Sequence, residues 1–312
     1  MNARGRGASG RGVSLPAYAK INLGLEILGR RPDGFHEIVS VTQLISLADT
    51  VTVTPSASLS VSMSPPLVDP SDNLVGRAAQ LLADDRRRVP GAAIHVEKQI
   101  PLAAGLGGGS SDAAATLRLL DRLWESPLGL KQLSRFAAQL GSDVSLFLHH
   151  GTCLIRGRGE IVEPISAVQP FWLVLICPGG APVDKTRALY GALTPADFGS
   201  GARTLHLADR IIDRHPLDDR LLVNSFDRAA DRVYPDFAPL RSRLQDALGR
   251  PVHLTGAGPT LFAICPDRRT AERAARSVQR LEFSTYVARS VARRPRIREH
   301  SESVAPADRS EE

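Results

Sequence analysis

Along its first half the chain alternates apolar and polar positions, the two-residue period of strands that face a core on one side. Residues 14–19 and 23–28 predict two strand pieces. The turn residues Arg31-Pro32-Asp33-Gly34 follow, with Pro and Gly supplying the backbone angles that a turn requires. Residues 35–47 are long and β-rich, and 50–54 continue the pattern. The period then lengthens. After a cap at Ser71 or Asp72, Leu74, Ala78, Leu81 and Leu82 share one helix face. A strand over 93–98 leads to a glycine-rich run, beyond which Ala113, Leu117, Leu120 and Trp124 recur at helical spacing. Another helix is expected over 130–140. Gly141 ends it, and Ser142 caps a new one with Asp143 in its first turn. Strands over 152–156 and 160–162 close this half, with Arg156-Gly157-Arg158-Gly159 turning between them.

The pattern breaks over 164–170, between two prolines, and a second unit begins. It reads as a strand over 171–177, a helix over 186–193 and a helix over 227–248 broken near Pro235. A strand at 253–255 with 260–265, a helix over 270–279 and a strand over 283–287 complete it. The fold class is α+β, with helices laid over an antiparallel sheet in this second half. Two domains are expected, 13–168 and 169–290, with a cleft between them where a ligand sits. Residues 1–12 are expected to form a disordered basic leader and 291–312 a disordered charged tail.

The glycine-rich run spans residues 101–112, Pro-Leu-Ala-Ala-Gly-Leu-Gly-Gly-Gly-Ser-Ser-Asp. Gly105 and Gly107, Gly108 and Gly109 allow positive φ and leave room for a ligand at the main chain. The helix opening near Ser110 adds free N–H groups and a positive dipole end, and phosphate is the usual anion in such a cradle. A Walker loop would require Gly-Lys-Ser/Thr, yet Gly109 is followed by Ser110 and no lysine lies within the run. A dinucleotide fingerprint would require a third glycine where Ser110 stands. A surface linker would not be bracketed by a strand and an amphipathic helix.

Composition adds limits. The chain has 312 residues, enough for one large or two medium cores. Its net charge is +6, of which residues 1–12 carry +3 and 289–312 a further +1. Little charge is left for the body, so no nucleic-acid surface is expected. No apolar run reaches the roughly 20 residues that span a bilayer, and no signal-peptide stretch follows the leader. Cys153, Cys177 and Cys265 lie in or beside apolar runs without a Cys-x-x-Cys pair, which fits buried thiols in a reducing cytoplasm. No Asp, Glu or His cluster has metal-ligand spacing, and the adjacent His149 and His150 would point apart on a helix. The lysines are few: Lys20, Lys98, Lys131 and Lys185.

Three separated motifs coincide. Pro16-Ala17-Tyr18-Ala19-Lys20-Ile21-Asn22-Leu23 stands near the start, the glycine–serine run in the middle, and Leu254-Thr255-Gly256-Ala257-Gly258-Pro259-Thr260 near the end. Together they resemble the GHMP kinases, small-molecule kinases that bind ATP through a loop other than the Walker type. The turn Arg31-Pro32-Asp33-Gly34-Phe35-His36 and Gly141-Ser142-Asp143-Val144 narrow the likeness to members acting on a cytidine-diphosphate-linked methylerythritol. The resemblance covers about residues 13–290. It implies a two-domain fold with an N-terminal ATP-binding domain and a C-terminal ferredoxin-like domain, the active site lying in the cleft. It also implies transfer of the γ-phosphoryl group of ATP, with Mg2+ carried by the nucleotide, to the 2-hydroxyl of the methylerythritol. The enzyme would act as a monomer or weak homodimer. Alternatives are a homoserine or mevalonate kinase of the same superfamily, and a non-catalytic nucleotide-binding regulator.

By that resemblance ATP is held by Pro101, Leu102, Ala103, Ala104, Gly105, Leu106, Gly107, Gly108, Gly109, Ser110 and Ser111, with Asn73 on the adenine side. Asp143 is the proton acceptor or orienting acid, and Lys20 is its partner. From the residues alone Asp143 reads first as an acid placed at a helix start for stability, and Lys20 as an edge lysine with its head in solvent. Asn22, two positions along the strand from Lys20, faces the same way and is expected to bind the polyol or phosphates. At the cytidine end, His36 has one donor and one acceptor for a cytosine edge, and Phe35 and Tyr190 are expected to cover the faces of the base. His36 as a structural histidine and Tyr190 as a packing residue remain open. The Gly256-Ala257-Gly258 run is a tight strand turn that packs on the loop or touches the substrate's diphosphate.

Overall fold

Two very long strands carry the fold. The computed structural model describes residues 12–66, 73–86, 91–125, 127–179, 184–279, 281 and 283–300. Strand β1 (Gly12–Arg30) pairs antiparallel with β2 (His36–Ser56), from Val13 opposite Val53 to Arg30 opposite His36. The four strand pieces read from the sequence are therefore two continuous strands. Register shifts at Tyr18/Ala19, Asn22/Gly24 and Ile27/Gly29 absorb the irregular alternation that suggested breaks. The connecting turn closes through Arg31 N–H donating to the Phe35 carbonyl at 2.7 Å. Asp33 steadies it by accepting from the Phe35 N–H and pairing with the Arg31 guanidinium.

Because this hairpin is so long, its two ends take different partners. Strands β3 (Ser60–Ser64) and β4 (Gly91–Glu97) extend the sheet beside the C-terminal end of β2. Helices α1 (Leu74–Asp85), α2 (Gly108–Leu123) and α3 (Leu130–Leu140) cover its face, burying Val75, Leu82, Leu117, Leu120 and Phe136 against Leu15, Val51 and Ile94. Strand β5 (Thr152–Gly157) lies along the other end of β2 and pairs with β6 (Ile161–Pro164).

The second domain begins at β7 (Trp172–Cys177). It continues through α4 (Lys185–Gly191), α5 (Ala202–Ile212), β8 (Val223–Asn224), α6 (Asp227–Val233) and α7 (Phe237–Leu248). Then come β9 (His253–Leu254), β10 (Leu261–Cys265), α8 (Arg268–Gln279) and β11 (Ser284–Arg289). The antiparallel sheet has the order β11-β7-β10-β9, the split arrangement of a ferredoxin-like unit. β7 is apolar throughout because both of its faces are buried. Leu173 and Leu175 pack with Ile21, Leu23 and Leu106 between the domains, while Val174 and Ile176 pack under α8.

Beyond the merged strands, two further features depart from the expectations. Helix α5 was not anticipated. It starts from Gly201 at φ 81°, and the buried Glu26 carboxylate accepts from the Gly201 and Thr204 N–H groups at 3.2 and 2.7 Å. That long-range cap replaces a local one. The second concerns residues 291–300, expected within a disordered tail, which instead return to the first domain. Val291 N–H donates to the Leu44 carbonyl, Arg294 to the Leu148 carbonyl, and β12 (Arg298–His300) pairs with the start of β1. Gly12, placed in the leader, already belongs to β1. Residues 1–11 and 301–312 lie outside the described residues. Among the described residues no helix is long and apolar enough to cross a membrane, and the three cysteines are buried and unpaired.

Candidate active site

The glycine run is anchored from below and open above. Ala104 and Leu106 are buried in the layer between the domains, and the Leu106 carbonyl accepts from the Lys20 N–H at 3.0 Å. Gly107 caps α2 at φ 75°, so the helix begins at Gly108 rather than near Ser110. A Cβ at Gly107 would stand 2.6 Å from the Phe147 ring, and one at Gly105 (φ 80°) 3.0 Å from the Thr255 and Gly258 carbonyls. Glycine is required at both by conformation and by space. Among the described residues no side chain caps α2, which leaves its first N–H groups directed at whatever lies above the loop. Pro101 is half-buried, Leu102, Ala103 and Gly109 form the exposed rim, Ser110 is half-buried, and Ser111 is buried. This is a cradle that fits a phosphate chain.

Beneath the loop lies an ionic cluster that the sequence did not disclose. Lys98 Nζ donates to Asp49 at 2.5 Å and to Asp112 at 2.7 Å, with all three side chains buried. Asp49 also accepts from the Gln99 and Ile100 N–H groups, fixing the approach to the run. Burial, opposed by the Lys98 charge and reinforced by Asp49, pushes the Asp112 carboxyl up to about 7. The only legible signal was a lysine and an aspartate bracketing the glycines.

Asn73 caps α1, its Oδ1 accepting from the Val75 N–H at 2.9 Å. The caps expected at Ser71 or Asp72 lie outside the described residues, and the observed cap stands at the next position. Leu74 reaches the rim of the loop, its Cδ1 lying 3.9 Å from where a Gly109 Cβ would sit.

Lys20 is 6% exposed, not an edge lysine with its head in solvent. Its Nζ donates to Asn22 Oδ1 at 2.8 Å, so the two side chains share a face as expected. Asn22 is oriented in turn by Ser40 and Thr42, which accept from its Nδ2. Burial lowers the Lys20 pKa while the Asp143 charge raises it. Asp143 is exposed and lies in a turn ahead of a single 3-10 turn, Ser145–Leu148. Neither the α-helix expected there nor the Ser142 cap forms. The Asp143 charge acts on both Lys20 and Tyr190.

The Gly256-Ala257-Gly258 turn closes the cleft from the second domain. A Cβ at Gly256 would lie 3.0 Å from Lys20 Nζ and 3.5 Å from Asn22 Oδ1. The turn is held by side chains that the sequence reading missed. Asn224 donates to the Leu254 and Gly256 carbonyls, Tyr234 to the Ala257 carbonyl, and Lys185 to the Gly258 carbonyl. Asn224 is presented by β8, which runs parallel to β1 at Gly24 and Leu25.

His36 and Tyr190 meet, with ring centroids 4.8 Å apart, and Tyr190 rests edge-on against Phe226. Burial and the Arg30 charge lower the His36 pKa, favouring the neutral ring with one donor and one acceptor. Phe35 stands apart at the hairpin tip, 49% exposed under the Arg158 guanidinium. Among the described residues no ring contact joins it to His36 or Tyr190. Nor is any group of His, Cys, Asp and Glu arranged to hold a metal ion.

Most of the chain is similar to known proteins. Residues 73–151 match the family described as GHMP kinases N terminal domain, and residues 205–283 match GHMP kinases C terminal. A 4-diphosphocytidyl-2-C-methyl-D-erythritol kinase of Dehalococcoides mccartyi is 37% identical over 265 residues, covering 84% of this chain and 92% of the relative. The same-named kinase of Gloeobacter violaceus is 38% identical over 283 residues, covering 83% and 88%. A crystal structure of 4-(cytidine 5'-diphospho)-2C-methyl-D-erythritol kinase superposes with a TM-score of 0.77 at 32% identity, covering 89% of this chain and 99% of the other.

Proposed function

The chain belongs to the GHMP kinase family and is a small-molecule kinase, and we propose that it phosphorylates the 2-hydroxyl of 4-diphosphocytidyl-2-C-methyl-D-erythritol with ATP, in the non-mevalonate route to isoprenoid precursors. The nucleotide's phosphates lie against Gly105, Gly107, Gly108 and Gly109 and the start of α2, with Ser110 and Ser111 beside them and Asn73 at the adenine end. Mg2+ arrives with the nucleotide and offsets its phosphate charge. The acceptor lies across the cleft, its cytosine at His36, Tyr190 and Phe35 and its polyol at Asn22.

Phosphoryl transfer of this kind is mainly positioning and charge stabilisation. The acceptor oxygen attacks the γ-phosphorus, the bond to the β-bridging oxygen breaks, and ADP leaves. Asp143 receives the hydroxyl proton late in the reaction. Lys20, held by Asn22, steadies the Asp143 carboxylate and the developing alkoxide. One observation carries the reading: the Lys20–Asn22 pair lies beside Gly107 of the loop, under Gly256 of the second domain, and within reach of the Asp143 charge. The enzyme is taken to act as a monomer or weak homodimer in the cytoplasm.

The test is ADP release measured in a coupled assay. We expect turnover with the cytidylated acceptor and none above background with homoserine or mevalonate. Preference for either of the latter would overturn the substrate assignment. Nucleotide binding without turnover of any of the three would favour the regulator.

A further inference from the structure

Two buried ammonium groups converge on the Gly256-Ala257-Gly258 turn, and only one of them has been given a role. Lys20 and Lys185 are 6% and 7% exposed. Lys98, the remaining buried lysine, is neutralised by two carboxylates. Lys20 and Lys185 have no carboxylate partner at ion-pair distance among the described residues. A buried cation without a counter-ion is costly, and two facing the same turn cost more.

Pinning the turn does not account for the charge on Lys185. The neighbouring carbonyls at Leu254, Gly256 and Ala257 are satisfied by the neutral donors Asn224 and Tyr234. The Gly258 carbonyl, which accepts from Lys185, lies on the other side against Gly105 of the phosphate loop. Lys185 therefore stands at the junction of loop, turn and cleft. Five residues along the same helix, roughly 7.5 Å by helical rise, Tyr190 meets His36.

We propose that Lys185 is a substrate-binding residue that holds the diphosphate of the acceptor, between the base end at Tyr190 and the reacting hydroxyl at Lys20. The proposal rests on the acceptor assigned above. In the free protein the Gly258 carbonyl shares the ammonium, and the diphosphate supplies the missing counter-ion on binding. The groups facing Lys185 support this. Burial first, then the Lys20 charge on β1, bring its pKa down to about 8, opposed by Cys177 at the end of β7. Such a cation loses its proton near pH 8, below the usual lysine range, unless an anion holds it.

Steady-state kinetics of Lys185→Met and Lys185→Gln test the proposal. The Gln amide still donates to the Gly258 carbonyl but carries no charge. Both variants should raise KM for the cytidylated acceptor about tenfold or more, as loss of a charge-assisted hydrogen bond implies, with KM for ATP within about twofold. In the wild type that acceptor KM should rise as pH passes about 8, where Lys185 loses its proton, and the rise should vanish in both variants. A Gln variant with wild-type acceptor KM and the same pH profile would overturn the proposal and leave Lys185 as a turn-pinning residue. Calorimetric titration of cytidine diphosphate, with a non-hydrolysable ATP analogue bound, reads the same contact without turnover. Weaker binding in both variants is expected, and equal affinity would refute the proposal. If the wild type fails to turn over the acceptor, the reaction assignment falls, while the titration still decides the role of Lys185.

Discussion

At Lys20, burial and a distant carboxylate act in opposite directions. Burial lowers the pKa and Asp143 raises it, so the ammonium loses its proton earlier than an ordinary lysine would. If that cation serves transfer, kcat falls on the alkaline side below the usual lysine range near ~10. Asp143→Asn removes the supporting charge and should move that limb to still lower pH. Lys20→Met and Asp143→Asn should each reduce kcat by roughly 10²–10⁴, with nucleotide affinity almost unchanged. Wild-type turnover in either variant would remove its residue from the mechanism. Gly107 raises a different question, one of space. An alanine there meets the Phe147 ring at 2.6 Å in a left-handed conformation, which should cost about 1–3 kcal/mol and weaken nucleotide binding. At Gly109 the nearest atom is 3.9 Å away, so Gly109→Ala should melt within about 0.5 kcal/mol of wild type. Equal melting temperatures for the two variants would contradict this account.

The element that carries the site is the glycine run with α2, and its stability is tied to the cluster of Lys98, Asp49 and Asp112. One lysine serves two buried carboxylates, so one negative charge is left over. Asp112 has its pKa raised from 3.8 to about 7, chiefly by burial. Between those values the folded protein holds a proton that the unfolded chain has lost. The stability contributed by this group is therefore present at low pH and is lost as pH rises through about 7. Asp112→Asn carries no such charge. Its stability relative to wild type should improve by roughly 1–3 kcal/mol between pH 5 and 8.5, read from paired chemical denaturation curves. A gap that stays constant across that range would refute the assignment. The surroundings of α2 also show why some elements were legible and others not. The helix was read from its apolar spacing, because packing on one face imposes a period on the sequence. The start of α5 was not, because its cap is Glu26, far away along the chain. The turn at Asp143 was read as a helix because Gly-Ser-Asp followed by apolar residues is also the signature of an α-helical start.

For the molecule as a whole, the long hairpin is the spine on which both domains are built, and the returning segment 290–300 ties its ends together. Arg294 reaches the Leu148 carbonyl, in the short turn directly after Asp143. Arg294→Ala should lower kcat about fivefold, the worth of a hydrogen bond of roughly 1 kcal/mol, without raising KM for ATP. An unchanged kcat would show that this strap does not position Asp143. The expectation of a disordered tail failed here because arginine-rich composition reports solvent exposure and says nothing of backbone pairing with a distant strand. What the residues determined by themselves was local. Glycines stand where the backbone turns with positive φ, apolar periods mark the strands and helices, and three separated motifs together resemble one kinase family. What only the tertiary structure decided was convergence. Lys20 and Lys185 are 165 positions apart and meet at one turn, Asp49 finds Lys98 and Asp112, and Tyr190 finds His36. Period and propensity record the neighbours that a residue has along its own element. Which distant side chains share a cleft is set by strand register and by domain packing, and neither leaves a mark within a short window of sequence.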